Sequence, residues 1–192
     1  MKPVKLITIG GSAGSLHVVL AILSTIRPGF PVPILIVLHR NGVFESSLEE
    51  LFATRTQVPV KEVEEKESII PGTIYVCPAD YHVLIEDDQS FSLDYSERVN
   101  YSRPSIDVTF RSASDVYGDG LACLLLSGGN ADGVEGLLYV RENGGVVIVQ
   151  DPVTADVPYM PQHAINRVKV DFIIPEEELP GFLYGLITRP SV

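Results

Sequence analysis

The sequence predicts an α/β fold in which helices cover both faces of a mainly parallel sheet. Two observations support this prediction. Apolar runs typical of strands alternate with helical patterns along the chain, first at residues 4–9 and 15–26. The run ILIVL at residues 34–38 has no polar position, which is typical of a strand covered on both faces. Together they indicate a three-layer, doubly wound architecture.

The first half of the chain follows this alternation. Residues 4–9 are an apolar strand, and apolar spacing predicts a helix over residues 15–26 that the sequence RPG at 27–29 ends. After the second strand we expect a short helix at residues 46–53 and a weaker strand at 58–63.

The middle of the chain departs from the alternation. A proline-glycine turn precedes a strand at residues 73–76. Residues 82–86 and 90–95 flank a polar tripeptide, which predicts an antiparallel hairpin. We expect this hairpin to be an edge of the parallel sheet or an excursion from it.

Strands and helices alternate again toward the carboxyl end. The expected elements are helices at 105–117, 134–142, 161–166 and 175–186 and strands at 121–126 and 146–149. Three glutamates in the first turn of the last helix are favourable for its dipole. We expect residues 1–192 to form one domain.

Composition narrows the classes of function. With 45% hydrophobic and 20% charged residues the chain is typical of a folded protein, and its net charge of −11 argues against non-specific binding to nucleic acid or anionic membranes. The two cysteines, Cys77 and Cys123, have no metal-ligand spacing. Because the first strand begins near the start of the sequence, we expect no signal peptide, and no apolar run approaches the roughly 20 residues that span a bilayer. We expect a cytoplasmic protein that does not insert into membranes.

Three chemically matched residues each follow a predicted buried strand. Ser12, His39 and Asp132 come after the strands at 4–9, 34–38 and 121–126. In an open parallel sheet, ligands bind outside the carboxyl ends of the strands. A nucleophile, a base and an orienting carboxylate at one edge would equip a serine hydrolase.

Each signal has an alternative when taken alone. The sequence GGSAG at residues 10–14 fits G-x-S-x-G, and the following helix offers N–H groups for an oxyanion, but such a turn can also hold a phosphate. Against nucleotide binding, the spacing is not G-x-G-x-x-G and no lysine follows. Asp132 could cap the helix predicted from residue 134, and this role can coexist with catalysis. The order Ser12, His39, Asp132 differs from that of α/β-hydrolases.

Six blocks occur in order along nearly the whole chain: IGGSAG at 9–14, VLH at 37–39, PADYH at 78–82, RPSIDVTFRSA at 103–113, LLSGGNADGVEG at 125–136, and QDP at 150–152 followed by MP at 160–161. Together they resemble the catalytic domain of the CheB family, the chemotaxis protein-glutamate methylesterases. The resemblance implies that Ser12 is the nucleophile, His39 the base and Asp132 its orienting carboxylate.

The resemblance also implies a reaction and partners. The enzyme would hydrolyse glutamyl methyl esters on chemoreceptors or related signalling proteins, releasing methanol, and could deamidate glutamines. Neither a cofactor nor a metal is expected. The implied partners are a methylated chemoreceptor or another signalling protein, with a separate methyltransferase or receiver protein as a further partner.

Further residues are expected to hold the oxyanion or to bind substrate. They are Ala13, Gly129, Asn130, His82, Arg103 and Met160. Two of them have a structural alternative, since His82 could be a satisfied histidine at a strand start and Arg103 could hold a loop by ion pairing.

The chain departs from the family pattern in three respects. Gly129 stands where the family usually has methionine, and Ala13 stands where threonine or serine is common. The sequence begins directly at the catalytic strand, so the receiver domain of classical members is expected to be absent. The first two departures motivate an alternative function, a catalytically weakened signalling or binding module of the same fold.

Overall fold

A computed structural model describes residues 3–39 and 48–188. Within these residues, seven strands form one sheet in which all neighbours are parallel, and two more form a separate antiparallel hairpin. In chain order the strands are β1 (Leu6–Gly11), β2 (Ile34–Leu38), β3 (Val60–Glu62), β4 (Ile74–Val76), β5 (His82–Ile85), β6 (Phe91–Asp94), β7 (Leu121–Leu125), β8 (Val146–Gln150) and β9 (Phe172–Ile174). The main sheet has the order β3-β4-β2-β1-β7-β8-β9, which places β1 between β2 and β7.

The sheet is buried on both faces, as the apolar strands require. In β2, Ile34, Ile36 and Leu38 belong to one hydrophobic core, whereas Leu35 and Val37 belong to the other. Successive side chains of a strand point to opposite faces, so a strand without polar positions contributes to two cores.

Helices form the two outer layers. Helices α1 (Leu16–Leu23), α2 (Leu48–Ala53) and α6 (Leu179–Thr188) pack on one face of the sheet. Helices α3 (Ile106–Tyr117), α4 (Val134–Glu142) and α5 (Tyr159–Arg167) pack on the other. None of the helices in the described part of the chain is both long and apolar enough to cross a membrane.

The predicted fold class is confirmed, and the hairpin is an excursion that packs against α3. Strand β9 is not among the predicted elements; it has three partly buried or exposed residues and lies at the sheet edge. The helix predicted from residue 175 begins at Leu179, and Glu176–Glu178 form a 3-10 turn instead. Of the helix predicted at 46–53, residues 46 and 47 lie outside the described part.

A glycine brings α3 and α4 into close contact beneath the carboxyl ends of the strands. A Cβ on Gly136 would lie 2.7 Å from Phe110 Cβ and 3.1 Å from the backbone of Asp107. The Gly136 N–H also donates a hydrogen bond to Asp107 Oδ1 at 2.7 Å. The absence of a side chain at this position therefore sets the distance between the two helices.

The Gly136→Ala substitution should lower the free energy of unfolding by about 1–3 kcal/mol, because the added methyl group overpacks the contact between α3 and α4. Gly185→Ala in α6 is the matched control. No atom of the residues that the structure describes lies within 4 Å of a Cβ at that position, so the control should keep its stability or gain up to about 1 kcal/mol. Urea denaturation measures both effects, and equal losses in the two variants would contradict the role of the close contact.

Candidate active site

Ser12 directly follows β1 and His39 directly follows β2, so the sheet places the two residues next to each other. Strands β2, β1 and β7 are adjacent in the sheet, and their register pairs Gly11 with Leu38. The N–H of His39 donates to the Gly11 carbonyl at 3.1 Å, and the N–H of Ser12 donates to the Ser127 carbonyl at 2.9 Å. These backbone hydrogen bonds extend the parallel pairing of the strands, and they thus fix the backbone of both candidate residues.

His39 forms a hydrogen bond with Asp132. The distance between His39 Nε2 and Asp132 Oδ2 is 2.7 Å. The Asp132 side chain is completely buried, and that of His39 is 11% exposed. Burial alone would raise the pKa of Asp132, but the hydrogen bonds from His39, the Ile106 N–H and Ser105 outweigh it, so the pKa is lowered and the carboxylate stays ionised.

Asp132 also holds the first turn of α3. Its carboxylate accepts hydrogen bonds from the N–H of Ile106 at 2.7 Å, the N–H of Asp107 at 3.2 Å and Ser105 Oγ at 2.8 Å. The N-cap of α4 is Gly133, and no side-chain bond caps that helix. The interpretation of Asp132 as the cap of α4 is therefore wrong: its carboxylate serves the N-terminus of α3, where backbone donors lack partners.

A tight turn between β6 and α3 reaches the same carboxylate. Val99 and Ser102 form an isolated antiparallel bridge, and the intervening Asn100 and Tyr101 have φ values of 50° and 64°. Such left-handed conformations suit asparagine but are uncommon for tyrosine. The turn directs Asn100 Nδ2 to within 3.2 Å of Asp132 Oδ1. Sequence reasoning missed Asn100, although it lies just before the RPS block.

The hydrogen bonds of His39 define which ring nitrogen can act as a base. A carboxylate only accepts hydrogen bonds, so Nε2 carries the hydrogen that faces Asp132 and Nδ1 keeps its lone pair. Ser102 Oγ lies 3.3 Å from Nδ1. Nδ1 is therefore the atom that can take a proton from a serine next to His39, and Ser102 is a second residue that the sequence did not single out.

Ser12 and His39 line one cavity of about 320 Å³. In the described part of the chain, no cluster of three or more histidine, cysteine or acidic side chains is arranged to hold a metal ion. The residues around the cavity are Ser12, Ala13, His39, Arg98, Tyr101, Ser102 and Arg103.

Backbone N–H groups next to Ser12 are available for an oxyanion. Among the described residues, no acceptor takes the N–H of Ala13, Gly129 or Asn130, whereas the N–H of Gly128 donates to the Val157 carbonyl at 3.1 Å. The N–H of Ser102 is likewise engaged, with the Val99 carbonyl at 2.9 Å. Free donors therefore accompany Ser12.

Packing accounts for the first two glycines of the GGSAG turn. A Cβ on Gly10 would lie 3.0 Å from Phe110 Cζ, and one on Gly11 would lie 2.6 Å from Ser15 Oγ. The absence of a Cβ at these two glycines leaves space for other side chains of the protein, so a bound phosphate is not needed to explain the glycines.

Met160 supports the loop that faces Ser12. It is completely buried, and its N–H donates to the Gly128 carbonyl at 2.9 Å. A Cβ on Gly128 would lie 2.7 Å from Met160 Sδ and 3.1 Å from Ser12 Cβ. Burial leaves Met160 no surface for a substrate, so the structure gives it a supporting position instead of the predicted binding role.

His82 also has a structural position. It is completely buried, its Nδ1 accepts the N–H of Ser105 at 3.1 Å, and its Nε2 donates to the Glu97 carbonyl at 3.0 Å. Both ring nitrogens are thereby satisfied, and neither faces the cavity. The structural alternative describes His82 better than substrate binding, since the residue positions the N-cap serine of α3.

Asp107 is a third unpredicted residue beside the buried carboxylate. Asn100 Nδ2 lies 2.8 Å from Asp107 Oδ2 and so bridges the two aspartates. Burial, followed by repulsion from the Asp132 charge, raises the pKa of Asp107 to about 7. Of these two aspartates, Asp132 is therefore ionised and Asp107 is protonated over most of the acidic pH range.

The chain is similar to known hydrolases over almost its full length. Residues 7–183 match the model of the CheB methylesterase family. A proposed protein-glutamate methylesterase/protein-glutamine glutaminase of Leptospira interrogans is 44% identical, and the match covers 90% of each chain. The crystal structure of the Thermotoga maritima CheB methylesterase catalytic domain superposes with a TM-score of 0.90 at 31% identity, covering 96% of this chain and all of that one.

Other relatives are longer than the matched region. The protein-glutamate methylesterase/protein-glutamine glutaminase of Thermotoga maritima is 31% identical over 95% of this chain, and a protein of the same description from Methanospirillum hungatei is 36% identical over 98%. In both cases the match spans 54% of the relative's length.

The stability of the protein should depend on pH through Asp107. Its pKa rises from 3.8 to about 7 on folding, so its protonated form favours the folded state. This contribution is fully present below about pH 4 and is lost as the pH rises to about 7. Asp107→Asn should therefore gain stability relative to the unsubstituted protein across that interval, and the difference should level off above it.

Urea denaturation at a series of pH values measures this difference. Asp115→Asn, which changes an exposed carboxylate on the same helix, controls for the substitution itself. A difference between Asp107→Asn and the unsubstituted protein that stays constant from pH 4 to pH 7 would contradict the assignment.

Proposed function

This chain belongs to the CheB methylesterase family and is a hydrolase, and we propose that it removes methyl groups from glutamyl methyl esters on a protein. The nucleophile is Ser12, the base is His39, and Asp132 orients the base. The same site would deamidate glutamine, because an amide presents the same carbonyl carbon and loses ammonia instead of methanol. The substrate is a methylated chemoreceptor or a related signalling protein.

One observation carries this proposal: Ser12 and the Asp132-bound His39 line the same cavity. A nucleophilic serine needs a neighbouring base, and the base needs a partner that fixes its tautomer. The hydrogen bond between His39 Nε2 and Asp132 supplies that partner and turns Nδ1 toward the serines of the cavity.

Acylation begins when Ser12 Oγ attacks the ester carbonyl and His39 Nδ1 takes the proton of the Ser12 hydroxyl. Ser102 must release Nδ1 for this step, because its hydroxyl oxygen lies 3.3 Å from that atom. The ionised Asp132 stabilises the imidazolium that forms. The N–H groups of Ala13 and the loop at Gly129 hold the negative oxygen of the tetrahedral intermediate.

Methanol leaves with the proton that His39 has taken, and the acyl group remains on Ser12. A water molecule then attacks this ester while His39 again acts as the base. Collapse of the second intermediate releases the glutamate side chain and regenerates Ser12.

Ala13 and Gly129, the two positions that depart from the family pattern, do not support the alternative of a catalytically weakened module. Ala13 and Gly129 would both contribute backbone N–H groups, which do not depend on the side chain. Among the described residues, a Cβ on Gly129 would meet only Val157 Cγ1, at 3.9 Å, so glycine at this position is not needed to relieve a clash with them. We therefore favour an active enzyme over a binding module.

Replacement of the proposed nucleophile should abolish the reaction. Ser12→Ala should lower methanol release from a glutamyl methyl ester substrate by roughly 10⁴-fold or more, because the variant lacks the hydroxyl that forms the covalent intermediate. Ser24→Ala, an exposed serine just after α1, is the matched control and should keep the activity. Methanol release by Ser12→Ala at the rate of the control would refute the proposed mechanism.

A further inference from the structure

The part of the Ser12 cavity wall that the structure describes is positively charged, although the chain as a whole is acidic. The chain has 25 acidic and 14 basic side chains other than histidine. Among the described residues that line the cavity, Arg98 and Arg103 carry formal charge, and none is an aspartate or a glutamate. The local balance of charge is thus the reverse of the global one, which favours an anionic ligand at this cavity.

The guanidinium of Arg103 is held in place before any ligand binds. Its Nη1 donates to the carbonyls of Ser96 at 2.7 Å and Tyr95 at 3.2 Å. Its Cζ lies 3.9 Å from the centre of the Tyr95 ring, so the group also stacks on an aromatic face. An arginine fixed in this way loses little conformational freedom when it binds a carboxylate.

Arg103 has no ion-pair partner within the described residues, although its charge, after the hydrogen bonds from Ser96, contributes to the lowered pKa of the Asp94 carboxylate. No carboxylate there forms an ion pair with it, and its buried Nε has no hydrogen-bond acceptor. The nearby Asp94 carboxylate is engaged by the backbone and hydroxyl of Ser96. Arg98 differs, because its Nη2 lies 3.5 Å from Asp80 at an exposed position.

The anion that suits Arg103 is not the reacting group. A glutamyl methyl ester or a glutamine amide is neutral, and the oxyanion formed from it would be met by the N–H groups beside Ser12. A protein substrate can, however, present a second side chain to the cavity wall while its ester lies at Ser12. An aspartate or glutamate would neutralise the guanidinium charge and accept hydrogen bonds from Nη2, because Nη1 already donates to two carbonyls and Nε is buried.

We propose that Arg103 determines substrate specificity by binding an acidic side chain of the protein substrate next to the reacting glutamyl group. This inference rests on the proposed esterase function. The ion pair would form in the substrate complex and persist in the transition state, so it raises kcat/KM for acidic sequences. Arg98 adds to the local positive potential but is already paired with Asp80.

Two synthetic glutamyl methyl ester peptides test this proposal. They differ only in the flanking residues, which are glutamates in one and glutamines in the other. The unsubstituted protein should release methanol from the acidic peptide with a kcat/KM roughly tenfold to a hundredfold higher, as expected for a hydrogen bond between charged groups. This comparison needs no variant, so it does not depend on whether a substituted protein folds.

Arg103→Gln should remove the preference by lowering kcat/KM for the acidic peptide alone. Arg103→Lys, which keeps the charge but loses the flat guanidinium that stacks on Tyr95, should recover part of it. Arg167→Gln, at an exposed arginine on α5 paired with Glu135, is the matched control and should keep the full preference.

The outcomes separate this inference from the function on which it rests. Methanol release from both peptides at equal rates, or an equal loss on both in Arg103→Gln, would overturn the role of Arg103 and leave the esterase standing. No release from either peptide by the unsubstituted protein would overturn the proposed function, and the inference with it.

Discussion

The buried carboxylate of Asp132 is the interaction on which the arrangement of this site depends. An ionised carboxylate out of contact with water is costly unless hydrogen-bond donors surround it. Here the donors come from the first turn of α3, from Asn100 and from His39. The bonds that satisfy the charge also fix the ring of His39, so the stability of the site and the orientation of its base have a common cause.

Much of this arrangement could be predicted from the sequence because it follows from the parallel sheet. Apolar runs identify buried strands, and residues that directly follow adjacent parallel strands must meet at one edge. Ser12 and His39 obey that rule, since each N–H extends a strand ladder. The glycines around them are also evident in the sequence. Only the structure shows why they are there, which is close packing against residues such as Phe110 and Met160.

The remaining residues could not be found in this way because their positions depend on tertiary contacts. The turn that presents Asn100 and Ser102 contains a tyrosine with positive φ, a conformation that no local pattern predicts. His82 and Met160 lie in blocks that suggested binding, yet burial makes them supports for α3 and for the loop at Gly128. Burial of a polar side chain is decided by the elements packed around it, so sequence spacing does not report it.

The central claim is that Ser12, and not the neighbouring Ser102, is the nucleophile activated by His39. Both serines line the cavity, and Ser102 is the one within hydrogen-bond range of His39 Nδ1 in this structure. Labelling with a fluorophosphonate, followed by peptide mapping in a mass spectrometer, tests the claim directly. We expect a covalent adduct on Ser12 that is lost in His39→Gln; an adduct on Ser102, or none on either serine, would refute the assignment of Ser12.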